Sequence, residues 1–310
     1  MSPATDADPV PDGYEFALLL THDVDRPYKT YQAPYYALRD RDPSHLLDAL
    51  VGRNTFWTFD EIRSLEESLG VRSAFYFLDE QSLWTLPASA MARPSNWRLF
   101  AGRYSLSDPS IVDLIRTLSA GGWEVGLHGS YESYRNRDLL EREYRRLDAI
   151  HDGEILGGRQ HYLNLEEPET WHHQRTVGLR YDATPGSSDE FGFDGEYGIR
   201  RPFDDEFVVF PLTVMESALP DPVTEFARAW QALDRLLDEA AENDAVMSVL
   251  WHPRFFSRVD FPGYRALYER LVETALERGA WVGSPGDLYE RLDHPDGAAI
   301  PGEAPTVGSR

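Results

Sequence analysis

The feature that most limits the fold is an alternation of short apolar runs, each stopped abruptly by polar residues, with stretches of helical period. The first run, YEFALLLT from Tyr14, has the character of a strand buried in a parallel sheet, and it stops at His22, Asp23, Val24 and Asp25. Further strands are expected over 71–78, over 123–128, near 154–156, in LRYDAT, in FVVFPLTVM, in AVMSVLWH and in AWVG. Helices are expected over 57–69 before Gly70, from a cap at Ser107 or Asp108 to Leu118, and over 137–150, 167–176 and 223–242. One more ends at Arg278, and a last one covers 286–292. Residues 79–108 show no period and read as a long loop. No linker-like break and no internal repeat interrupts the series. The expectation is a single α/β domain over 14–293 with a barrel-like parallel sheet, a flexible segment over 1–13 and a loose tail over 294–310.

In such folds the chemistry gathers at the carboxyl ends of the strands. That rule selects Asp23, Asp25, His128, Arg159, His161, Asp182 and His252. Asp23 and Asp25 flank one valine, so on extended backbone both carboxylates point to one side, and two such charges need a cation or a shared proton. With His128 they begin a divalent metal site that keeps a position open for water, whose pKa zinc lowers to about 7. A carboxylate free of the metal can act as base, and His252 can protonate a leaving group. A zinc site needs a third protein ligand. His161 is favoured because imidazole is the more usual ligand. Glu132, four residues after His128, is the alternative if the chain makes a helical turn there. His45, His151, His172, His173 and His294 fall on helices or loops and are expected to face solvent or to pack locally.

The chain has no cysteine, so thiolate metal sites, disulfides and cysteine nucleophiles are excluded and any metal must sit on His, Asp or Glu. The net charge of −23 disfavours nucleic acid and anionic membranes as partners. Lys29 is the only lysine beside many arginines and 53 acidic residues, the balance of a halophilic protein whose self-repulsion is screened in molar salt. There is no basic leader and no apolar stretch long enough to span a bilayer, so no membrane insertion and a soluble, cytoplasmic location are expected.

The segments THDVD from Thr21, EVGLHGSYESY from Glu124, GRQHY from Gly158, the strand-end Asp182 and VLWHP from Val249 stand in the order of known motifs. In them the chain resembles the polysaccharide deacetylases of the NodB-homology type, carbohydrate esterase family 4, over nearly its whole length. The resemblance implies a distorted (β/α)7 barrel that removes acetyl groups from N-acetylated sugars with one divalent metal, commonly zinc. It implies Asp23 as base, Asp25 and His128 as metal ligands, Arg159 as the group orienting the base and His252 as general acid. Two departures mark a divergent branch: Glu132 stands where the family's second motif has its second histidine, and His161 where its third motif commonly has proline. The partner expected is an N-acetylated saccharide or sugar precursor, in a pocket drawing on His22, Tyr131, Asp182, Phe193, Tyr197 and Trp251. The loop aromatics, with Trp84 and Trp97, can stack on sugar rings. One alternative is a glycosyltransferase holding metal and nucleotide diphosphate on Asp23-Val24-Asp25, against which no glycine-rich phosphate loop precedes that motif. Another is a barrel without catalysis that binds saccharide, which would need neither base nor acid.

Overall fold

A computed structural model describes residues 9–29, 33–39, 41, 46, 52–100, 103–203 and 206–293. Among them nine strands form one sheet: β1 Phe16–Val24, β2 Ala74–Leu78, β3 Glu124–Gly129, β4 Gly157–Gln160, β5 Tyr181–Asp182, β6 Val208–Val209, β7 Val214–Met215, β8 Val246–Leu250 and β9 Ala280–Gly283. Their order is β6-β5-β4-β3-β2-β1-β8-β7, and every adjacent pair is parallel. β1 is long enough to serve two neighbours on one edge: its first half pairs with β9 and its second half with β2. The architecture is α/β, a curled parallel sheet in the form of a distorted (β/α)7 barrel, with β6 and β7 at the two ends of the strand order.

Both faces of this sheet are buried, and the period of two assigns each side chain to one of them. On β1, Phe16, Leu18 and Leu20 enter the large core beneath the helices, while Ala17 and Leu19 join Ala74, Tyr76, Tyr181 and Phe210 inside the barrel. On β8, Met247 and Val249 face the helices while Val246 faces inward. The outer layer is closed by helices over Phe59–Leu69, Pro109–Ala120, Arg137–Asp148, Pro222–Glu242 and Tyr264–Glu277, whose apolar faces carry Ile62, Leu65, Ile111, Ile115, Leu140, Leu233, Leu237, Leu267 and Leu271. Asn136 and Asp221 cap two of these helices through their side chains, and Gly70 ends the first of them in the left-handed region.

Five expectations shift. The fourth strand is Gly157–Gln160, three residues beyond the apolar Glu154–Leu156 segment. The glycines explain why: a Cβ on Gly158 would lie 1.8 Å from the Leu127 carbonyl oxygen, so only glycine allows β3 and β4 this approach. FVVFPLTVM is two short strands, because Pro211 has no N–H to offer a ladder. The 79–108 loop contains the helices Ala88–Met91 and Pro94–Phe100. Asp108 stands at the N-cap of Pro109–Ala120, yet its carboxylate accepts from Ser105 N at 3.1 Å instead of capping the helix. In the segment expected to be flexible, Val10 packs into the inner core. His45, His294 and the expected tail lie outside the described residues. Among the described residues no helix is long and apolar enough to cross a membrane.

Candidate active site

At the carboxyl ends of β1, β3, β4 and β8 the inward positions of the same two-residue period turn polar. Asp23, His128, Arg159 and His252 arrive there, and Asp25 and His161 follow from the residues just past β1 and β4. Arg159 is fully buried over the Tyr76 ring and donates through Nε to Ala183 O and through Nη1 to Thr21 Oγ1 and Asp23 Oδ1, the last at 2.9 Å. Burial alone would raise the Asp23 pKa, but the charges of Arg159, His128 and His252 outweigh it and hold the carboxyl below its ordinary value. Asp23 is therefore ionised at neutral pH, with Oδ1 fixed by Arg159 and Oδ2 3.8 Å from His128 Nε2.

Asp25 Oδ1 lies 3.2 Å from His128 Nε2 and 3.9 Å from His161 Nε2. His128 donates through Nδ1 to Arg159 O at 2.9 Å, which leaves Nε2 facing the cluster. Its pKa is raised in spite of burial, by Asp23 and by the hydrogen bond to Asp25. Burial also opposes the Asp25 charge, and the His128 hydrogen bond, with the His252 and His161 rings close by, carries that carboxyl well below its ordinary range. His161 goes the other way: burial, with Arg103 and His128 beside it, brings it down to about 4 against Glu80 and Asp25, so its imidazole is neutral. Asp25, His128 and His161 each offer one ligand atom, all within 4.8 Å of one another. The set suits a divalent metal: one carboxylate, one neutral imidazole, and one imidazole whose outer nitrogen is already anchored. His161 Nδ1 is buried 3.5 Å from Glu80 Oε2, without a hydrogen bond.

His252 forms the opposite wall. Its Nδ1 is 2.7 Å from Glu216 Oε1 and its main-chain N–H reaches Glu216 Oε2, while Nε2 faces inward 3.5 Å from Asp25 Oδ2. A fully buried glutamate thus fixes the orientation of the ring. These groups line a cavity of about 410 Å³ together with Arg26, Arg103, Arg254, Tyr162, Leu163, Ser188, Met215 and Ser217. Burial, with Arg103 and Arg254 nearby, brings the Arg26 guanidinium down to about 10. Tyr162 and Leu163 hold φ of 60° and 54°, left-handed backbone that non-glycine residues adopt at a cost of about 1–3 kcal/mol each, and both sit on the cavity wall.

The same arrangement of strands and helices recurs in solved structures. A candidate polysaccharide deacetylase of Mycobacterium smegmatis superposes over 99% of this chain and 100% of its own with a TM-score of 0.60 at 17% identity. PuuE allantoinase matches 94% of this chain and 96% of its own, TM-score 0.58 at 17% identity. A candidate polysaccharide deacetylase of Pseudomonas aeruginosa PAO1 matches 91% and 93%, TM-score 0.55 at 15% identity. The fold is that of the NodB-type deacetylase barrel. No family model matches the sequence, and no curated protein matches it.

The deacetylase-type barrel brings together Asp23, Asp25, His128, Arg159, His161 and His252, all six at one cavity or directly behind it. It does not bring Glu132. After β3 the chain turns away into the short 3₁₀ segment Ser133–Arg135, and Glu132 pairs with Arg135 in a separate surface depression beside His172 and His173. Three residues expected at the substrate pocket sit on outward positions and are core. His22 lies between Phe75, Phe256 and Tyr268 and is bonded to Trp251 O and to Glu66 at 3.0 Å. Trp251 is fully buried against Tyr268, and Asp182 accepts from Trp171, Gln174 and Thr184. Tyr131 stacks edge-on behind Tyr162. Phe193 lines a neighbouring cavity of about 620 Å³, and Tyr197 packs on it and donates to Glu239. Trp84 and Trp97 contact each other at the surface. His151 is buried, so it packs locally, and His172 stacks on Phe203. Sequence reasoning missed Glu80, Glu216, Arg26, Arg103, Arg254 and Tyr162. Arg26 and Arg254 had a signal, since each follows directly on a site motif. Arg103 had none, in a segment without a period.

Proposed function

We propose that this chain is a divalent-metal-dependent amide hydrolase of the NodB-homology type that removes acetyl groups from N-acetylated sugars. The observation that carries the reading is the meeting of a metal-suited triad, Asp25, His128 and His161, with a base held by Arg159 on one side and an acid held by Glu216 on the other. A bound metal would polarise the acetyl carbonyl and raise the acidity of water at the site.

The protein groups divide the rest. Asp23 accepts the proton of the attacking water on Oδ2, because Arg159 occupies Oδ1 and keeps the carboxylate ionised. The water oxygen bonds to the acetyl carbon and the C–N bond breaks. An amine leaves only when protonated, and the proton comes from His252 Nε2 while Glu216 on Nδ1 supports the positive ring. Acetate and a free amino sugar result. Tyr162, Leu163 and Met215 supply the apolar side of a pocket for an acetylated ring. The test is metal content of the purified protein beside acetate release from a panel of N-acetylated sugars. Zinc with acetate supports the proposal. Hydrolysis of nucleotide sugars instead would support a transferase, and neither activity a binding barrel.

A further inference from the structure

His22 and Glu66 are fully buried, ionisable and unused by the proposed chemistry. The His22 ring sits on the outer face of β1 among Phe75, Phe256 and Tyr268, where an apolar ring would pack equally well. Burying an ionisable pair is costly, and apolar residues of similar volume are often as stable or more so. Filling the core therefore does not account for the pair, and its contacts account for it better.

Glu66, on the helix Phe59–Leu69, is a fixed point. Its Oε2 accepts from Ser73 Oγ at 2.9 Å and from Trp123 Nε1 at 2.7 Å, and its Oε1 accepts from the Tyr268 hydroxyl at 2.7 Å. The same Oε1 meets His22 Nε2 at 3.0 Å. The other ring nitrogen, Nδ1, faces Trp251 O, a carbonyl that can only accept, so Nδ1 carries a proton and donates it. That carbonyl stands where the sheet parts. Registered pairing of β1 with β8 ends at Thr21 and Leu250, whereas β1 pairs on with β2 as far as Val24. Trp251 N–H still donates to Thr21 O at 2.9 Å. Beyond it the two strand ends deliver Asp23 and His252 to opposite walls of the cavity. His22 directly precedes the one and Trp251 the other, so the Nδ1 bond ties base to acid across the point where the ladder stops.

We propose that His22 is a positioning residue: held by Glu66, it bonds the Trp251 carbonyl and thereby sets the separation of Asp23 from His252. The roles of base and acid rest on the amide-hydrolase reading, and the tie itself does not. In the wild-type chain, nitrogen-15 spectra should show a proton on His22 Nδ1, and a bare Nδ1 overturns the proposal. Two variants separate the bond from the filling of the core. An asparagine amide nitrogen stands two bonds beyond Cβ, as Nδ1 does, so His22→Asn can still reach Trp251 O. In His22→Gln the amide nitrogen stands three bonds beyond, as Nε2 does, and serves Glu66 instead. Both lose the ring, so their thermal midpoints should fall alike. Crystal structures of the three proteins give the separation of Asp23 Cγ from His252 Nε2. It should stay within about 0.5 Å of wild type in His22→Asn and depart further in His22→Gln, that being the tolerance within which catalytic groups must be held. In acetate release, kcat should fall about 10²-fold in His22→Gln with KM within about threefold of wild type, and recover in large part in His22→Asn, at unchanged zinc content. Equal separations in all three proteins, or equal displacement in both variants, overturn the proposal. The expected separations without acetate release by the wild type keep it and remove the deacetylase reading. Acetate released at equal rates from equal separations does the reverse.

Discussion

Asp23 and Asp25 are chemically alike and two residues apart, yet their surroundings separate them: Arg159 fixes one, and two imidazoles and Arg254 face the other. Asp23→Asn should therefore keep the metal and lower kcat about 10²–10⁴-fold, the range for loss of a positioned base, whereas Asp25→Asn should lose metal. Metal analysis of both variants checks this, and the opposite pattern would reverse their roles. His161→Ala should weaken zinc binding by about 10²-fold or more while Glu132→Ala leaves it unchanged, read by competition with a chelator at matched salt. Residue identity was legible wherever a motif closed a strand on an inward position. His22, Trp251 and Asp182 misled because a motif does not carry its own parity: counted from Ala17 and Leu19, Asp23 is inward and His22 outward. Glu216 is bonded to His252 and Glu80 lies 3.5 Å from His161, and such second partners leave no spacing to read.

At the scale of elements, the strands and helices were legible from period and length, but β4 was not, because a strand made of Gly157, Gly158, Arg159 and Gln160 carries site chemistry where apolar residues usually stand. Its glycines position β3 against β4, and with them His128 against Arg159. Gly158→Ala would drive a Cβ into main chain that cannot yield, so a loss of about 1–3 kcal/mol or more, seen as a lower thermal midpoint, should accompany misplacement of the metal. Another element-scale effect lies under β3, where Glu143 of the helix Arg137–Asp148 accepts from Ser130 N and Oγ. Burial raises this carboxyl to about 8. A folded-state pKa above the unfolded one means that the native chain holds the extra proton, so its contribution to stability is full below about 4.5 and is lost as pH rises toward 8. Glu143→Gln should flatten the fall of the thermal midpoint between pH 5 and 8, and a profile parallel to the wild type would contradict this assignment.

For the whole molecule, a charge of −23 with one lysine sets self-repulsion against a well-filled double core. The thermal midpoint should rise steeply from low to molar potassium chloride, where the Debye length falls to about 3 Å, and a flat response would remove the halophilic reading without touching the site. The barrel was legible because strand and helix periods alternate without a break. The cationic cavity was not, since net charge says nothing of where the arginines meet. Only the folded chain brings Arg26, Arg103 and Arg254 to one cavity. The central claim, a single-metal amide hydrolase, is tested most directly by titrating zinc into metal-stripped protein and following acetate release from neutral and anionic N-acetylated sugars. Release should be absent without metal, grow in proportion to zinc and stop growing at one equivalent per chain. Acetate release that is the same with and without metal, or none at any loading, would contradict it.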